Sequence, residues 1–168
     1  MTGLRFRETM TGRIALRALD PVDGYERVDG FAAVMHIEID IADVAAFTAA
    51  ASPEARMDAD VVIPVLGGRF VTANGKFICF TSGQGPNGTP VREMIYTADL
   101  INDDRRFRMS ARKVLEPHSL RVWRVWPQTT KLLITLVDVT PDADEVRPRH
   151  AAGVISITFT EFLRQLVT

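Results

Sequence analysis

The sequence predicts a mainly β fold, an antiparallel barrel of about eight strands and of calycin or lipocalin size. Three observations lead there. From Phe31 to Ile41 every odd position is apolar, while His36, Glu38 and Asp40 take the later even ones. That period of two describes a long strand with one dry face and one wet face. Runs of the same kind recur along the chain, separated by turn residues rather than by helices long enough for βαβ crossovers. Helix-forming stretches between and after them are short and few.

In chain order, Leu4 to Leu19 holds β-compatible segments broken at Gly12, and Asp20–Gly24 carries the residues of a turn or loop. The strand over 30–41 follows. Asp43 then stands as a cap before Ala-rich helix formers, which predicts a short connecting helix ending before Pro53. Met57, Ala59, Val61, Ile63 and Val65 alternate with Asp58 and Asp60, another strand that Gly67-Gly68 stops or bends. Arg69–Ala73 and Lys76–Thr81 read as two short strands about Asn74-Gly75, the strongest hairpin signal in the chain. After a glycine-rich loop to Pro90, the face Met94, Tyr96, Ala98 and Leu100 predicts a strand, and Phe107, Met109 and Ala111 predict the next. Thr130–Val139 and Val154–Phe159 supply the last strands. Thr160 caps an apolar helical spacing at Phe162, Leu163 and Leu166, a short C-terminal helix.

A chain of 168 residues is one domain, 1–168, large enough for a core without disulfides or metals. Its 20 basic and 21 acidic residues give a net charge of -1, which excludes long-range attraction to nucleic acid or an anionic membrane. The single Cys79 has no disulfide partner and sits in the apolar run Phe77–Phe80, the setting of a buried, inert thiol. No Cys/His spacing suggests a metal, and no apolar run approaches a membrane span. The amino terminus has no apolar signal segment, so a cytoplasmic protein is expected, and the Ala/Arg/Asp-rich usage suits a bacterial one.

No catalytic signature accompanies this pattern. The loop Gly83–Gly88 lacks the following helix and Lys-Ser/Thr pair of a phosphate loop and reads as a hairpin connection. His36, Glu38 and Asp40 share one strand face, either a base with its orienting carboxylate or the solvated outside of a sheet. The pair Asp58 and Asp60, side by side on one strand, does not oppose its carboxylates across a substrate. Lys113 continues the apolar face of Phe107, Met109 and Ala111. It stands at a barrel mouth or is buried with a partner, unless the strand has left the core and the lysine snorkels. Trp123 and Trp126 form the densest aromatic site, lining a ligand pocket, forming a partner surface or closing a barrel end.

Three segments carry a family resemblance. Phe6-Arg-Glu-Thr-Met-Thr-Gly12 is similar to a Phe-x-Glu-x-Met-x-Gly opening, Met109-Ser-Ala-Arg-Lys-Val114 to a Leu-x-Gly-x-Lys-x-Val strand, and Trp126-Pro-Gln-Thr-Thr-Lys-Leu132 to Trp-x-Asp-Thr-Thr-x-Leu. Together with the closing Phe162–Leu166 they resemble the accessory domain fused to some bacterial glucose-methanol-choline oxidoreductases of the cholesterol-oxidase-like kind. Ala111 stands where that pattern has glycine, and Gln128 where it has aspartate. The resemblance implies a non-catalytic accessory domain near lipid or sterol metabolism. It does not bring flavin chemistry, because no dinucleotide-binding Gly-x-Gly-x-x-Gly follows a strand here.

The expectation is therefore a binding or accessory module without cofactor or metal. It takes an apolar small molecule such as a lipid or sterol, or docks onto an oxidoreductase, with Lys113, Trp126, Tyr96 and Met35 as the ligand-binding residues. The alternatives are a cofactor-independent isomerase, cyclase or hydrolase built on Lys113, His36 and Glu38, and a structural module that pairs as a homodimer.

Overall fold

The computed structural model describes residues 3–85, 87–115, 131–141 and 146–157. The strands are β1 (Leu4–Leu16), β2 (Phe31–Ile41), β3 (Glu54–Ile63), β4 (Gly68–Gln84), β5 (Pro90–Ile101), β6 (Arg106–Leu115), β7 (Lys131–Asp138) and β8 (His150–Ile157). Each pairs antiparallel with the next, and β8 pairs back onto β1, so the eight strands close into a barrel. This is the architecture the alternation predicted.

The dry faces point inward. Ala33, Met35, Ile37, Ile39 and Ile41 of β2 are buried, and Phe31, where the strand begins, is the exposed exception. They join Met57, Val61 and Ile63 of β3, Tyr96 and Leu100 of β5, Phe107 and Met109 of β6, and Leu132, Ile134 and Leu136 of β7 in one core. Each large apolar side chain buried there contributes about 1.5–3 kcal/mol. The core is rich in unbranched sulfur side chains: Met10, Met35, Met57 and Met109 are all fully buried. Methionine fills irregular space and repacks readily.

Strand β1 runs through Gly12 without the expected break, and the reason lies at the β1–β8 seam. Gly12 pairs with Ile155 and Gly153 with Ile14. A Cβ on Gly153 would lie 2.0 Å from the Arg13 carbonyl oxygen, and one on Gly12 would lie 2.1 Å from that of Val154. Glycine at both positions lets the two backbones coil tightly against each other as the barrel closes. Gly153→Val is expected to cost about 3 kcal/mol through this overpacking. A urea midpoint matching the parent protein's would show that the seam can widen freely.

Asn74-Gly75 is not a hairpin turn. It lies within the continuous 17-residue β4, whose register against β5 slips between Ala73 and Lys76. Asn74 takes φ +53°, the left-handed conformation that both a tight turn and a β-bulge require, which is why the local signal misled. At the same level the ladder to β3 is interrupted between Arg56 and Asp60. Thr72 Oγ1 steps in there, accepting the Ala59 N–H at 2.9 Å.

The segment Asp20–Gly24 opens a helix rather than a turn or loop. Asp20 caps a helix, α1 (Pro21–Glu26), accepting from the N–H groups of Val22 and Asp23, with Pro21 in the first turn. It covers Ala15, Ala18 and Ala152, a small satellite cluster outside the barrel. The expected connecting helix forms as α2 (Val44–Ala49), capped by Asp43 on the Ala46 N–H. The C-terminal helix expected over 160–166 lies outside the described residues. No helix among the described residues is long and apolar enough to cross a membrane.

The two barrel ends differ. One carries α2 between β2 and β3. The other is tied by Arg105, which donates to the Asp138 carboxylate and the Leu66 carbonyl while its guanidinium lies 4.6 Å from the Phe107 ring centroid.

Candidate interior site

The inward alternation continues past the apolar residues on two strands. On β1 it runs Phe6, Glu8, Met10, and on β6 it runs Met109, Ala111, Lys113. By the shorter way round the barrel, β8 and β7 lie between β1 and β6, so 105 residues and two strands separate Glu8 from Lys113. Inside the barrel they meet: Lys113 Nζ donates to Glu8 Oε2 at 2.9 Å, with side chains 3% and 13% exposed. Of the alternatives for Lys113, burial with a partner is the one found.

An aromatic wall flanks the pair. Tyr96 of β5 stands opposite Ala111, and Lys113 Nζ lies 5.5 Å from its ring centroid, within cation–π range. Phe77 of β4 packs against Tyr96 at 5.0 Å between centroids, and Phe6 of β1 meets Phe77 edge-on at 6.3 Å. Burial pushes the Tyr96 hydroxyl well above its usual range, reinforced by the charge on Glu8 and by Cys79, so Tyr96 stays a neutral phenol. Burial likewise raises the Cys79 thiol, against the lowering effect of a hydrogen bond from the Phe80 backbone, in keeping with an inert cysteine. Half-buried apolar side chains pack around this core, among them Phe6, Met94, Phe47 and Ile157.

Among the described residues the fully buried charged side chains are Lys113 and Asp138, and Asp138 belongs to the opposite end with Arg105. The Glu8–Lys113 pair is thus an isolated ionic feature in an apolar interior. Such a pair suits hydrogen bonding to a polar group brought in by a ligand, in a medium where each bond is stronger than in water.

Of the expected ligand-binding residues, Lys113 and Tyr96 come together here. Met35 is buried in the same core but pairs with Met10, two residues along β1 from Glu8. Trp126 lies outside the described residues, as does Trp123. Glu8 was missed. Its signal was a charged residue at an inward position between Phe6 and Met10, the same cue that singled out Lys113.

His36 and Glu38 belong elsewhere. Both project from the outer face of β2, where Thr9 Oγ1 and His36 Nδ1 lie 2.9 Å apart and Arg7 donates to Glu38 at 2.6 Å. Asp40 joins them through Arg5 at 2.9 Å, and Asp60 pairs with Arg69. Glu38 stands directly opposite Asp58, a repulsive cross-strand pair offset by Arg5, Arg7 and Arg56. This is the solvated face of a sheet. Lys113 points the other way, so the triad needed for an enzyme on Lys113, His36 and Glu38 does not assemble.

The Gly85 N–H donates to the Thr89 carbonyl and β5 follows directly, so no helix among the described residues begins at this loop to receive an anion. Among the described residues no group of three or more histidine, cysteine, aspartate or glutamate side chains is placed to hold a metal ion. Compared with models of known protein families, with curated proteins and with solved structures, the chain matches none.

Proposed function

We propose that this chain is a non-catalytic ligand-binding barrel that takes an apolar small molecule, lipid-like or sterol-like, with the ligand's polar end at Glu8 and Lys113. The carrying observation is the buried ion pair itself. Replacing such a pair with packed apolar groups is commonly neutral or stabilising, so stability alone gives little reason to place it in this interior. The methionine-rich core supports the reading, since it can repack around a guest. So do the aromatic wall and the half-buried apolar side chains that pack on the same core.

The context we infer is a cytoplasmic, bacterial accessory protein working beside an oxidoreductase of lipid or sterol metabolism. Its support is the resemblance of the segments at Phe6–Gly12 and Met109–Val114, which contribute the two charged residues. The buried, unpaired Cys79 suits a reducing compartment.

The test is a native mass spectrum and a solvent extract of the purified protein, followed by thermal shifts with sterols and long-chain alcohols. A co-purifying lipid is expected, or a rise in Tm of about 5–10 °C at a hundredfold excess over Kd. No bound mass and no shift across the panel would overturn the reading.

A further inference from the structure

Resting on that reading, we propose that the interior site selects uncharged ligands, those whose polar end is a hydroxyl or carbonyl, and rejects both carboxylates and amines of the same chain length. The ground is the charge balance of the site. Lys113 and Glu8 are in direct contact at 2.9 Å, so their charges already cancel. Both side chains are withdrawn from water, at 3% and 13% exposure. Tyr96, whose ring lies 5.5 Å from Lys113 Nζ, and its neighbour Cys79 are both held neutral by burial.

A fatty carboxylate docked on Lys113 would leave the cluster with one net negative charge, beside Glu8 and away from solvent. A long-chain ammonium docked on Glu8 would leave one net positive charge beside Lys113. Each ion would also give up its own hydration on entry, with no counter-charge to replace it. A hydroxyl meets neither penalty. It can accept from the ammonium and donate to the carboxylate at once, and a carbonyl can accept from the ammonium. Both add hydrogen bonds without adding charge.

The logic is reversible, and that supplies the experiment. Binding of 1-dodecanol, dodecanoate and dodecylamine is compared by displacement of a fluorescent probe at about pH 7, where the acid and the amine are both ionised. The parent protein is expected to bind the alcohol at least about tenfold more tightly than either ion. E8Q removes the negative partner and should swing the preference toward dodecanoate by about tenfold or more, while K113M should swing it toward dodecylamine.

Dodecanoate or dodecylamine binding to the parent protein as tightly as the alcohol would overturn the selectivity while leaving the binding reading intact. An unchanged order of preference in folded E8Q would overturn it as well. If none of the three amphiphiles binds the parent protein, the selectivity fails, and the binding reading fails with it when the sterols also give no shift. The comparison on the parent protein decides the matter even where a single variant does not fold.

Discussion

Glu8→Leu and Lys113→Met are each expected to destabilise the barrel by about 3–5 kcal/mol, and the double variant to return within about 1 kcal/mol of the parent protein. Each single change strands the surviving charge in an apolar interior, where the lone ion keeps its desolvation cost and loses its counter-charge. Glu8 is the more accessible partner at 13% exposure, so a stranded Glu8 recovers some hydration and Lys113→Met sits at the milder end. In the double variant both charges are gone, and leucine and methionine extend the surface formed by Phe6, Met10, Met109 and Ala111. Urea midpoints for the four proteins close the cycle. A double variant as unstable as the sum of the singles would mean that the pair holds the barrel together, removing the main argument for a ligand. A stable double variant that no longer binds an amphiphile would separate recognition from folding.

The fold was legible because closure of a barrel imposes one rule on every strand. Positions of one parity face inward, and the alternations in β2, β3, β5 and β6 each follow that rule. What escaped was set by partners distant in sequence or by local signals with two meanings. Lys113 stood out as a charged residue on a dry face, but its counter-ion is 105 residues away, and only the register of the closed barrel brings Glu8 beneath it. The left-handed backbone at Asn74 serves a bulge as well as a turn. The choice is made by β3 and β5, which pair with β4 on either side of it and keep it in the wall. Asp20-Pro21 is an ordinary helix start, yet Gly24 four residues on pointed to a turn. The helix forms because Gly24 brings its backbone close to the Ala152 carbonyl, where an added Cβ would sit 2.1 Å from the oxygen.

The opposite end of the barrel should fail in acid for a separate reason, and Asp138 is the residue that reports it. Burial alone would push its carboxyl up, but hydrogen bonds from Arg105 and Thr140, with the positive charge of Arg105, hold it below the usual carboxylate range. A carboxyl whose folded pKa is depressed stabilises the protein at pH values above its unfolded pKa. That contribution is lost as pH falls from about 4 toward the lower folded value. Asp138→Asn keeps an acceptor for Arg105 but removes the titration, so its urea midpoint should fall less steeply than the parent protein's below about pH 4. The exposed carboxylates, including Asp29 beside Arg27, titrate in both proteins and cancel in the difference. Asp138→Ala is the harsher test. It leaves the Arg105 guanidinium, 13% exposed, with the Leu66 carbonyl and the Phe107 ring but no counter-charge. A loss of about 3 kcal/mol or more is expected at neutral pH, confined to stability and without effect on a ligand held at the Glu8 end. Parallel acid titrations of the parent protein and Asp138→Asn would show that Arg105 and Asp138 do not form the ion pair that fastens this end.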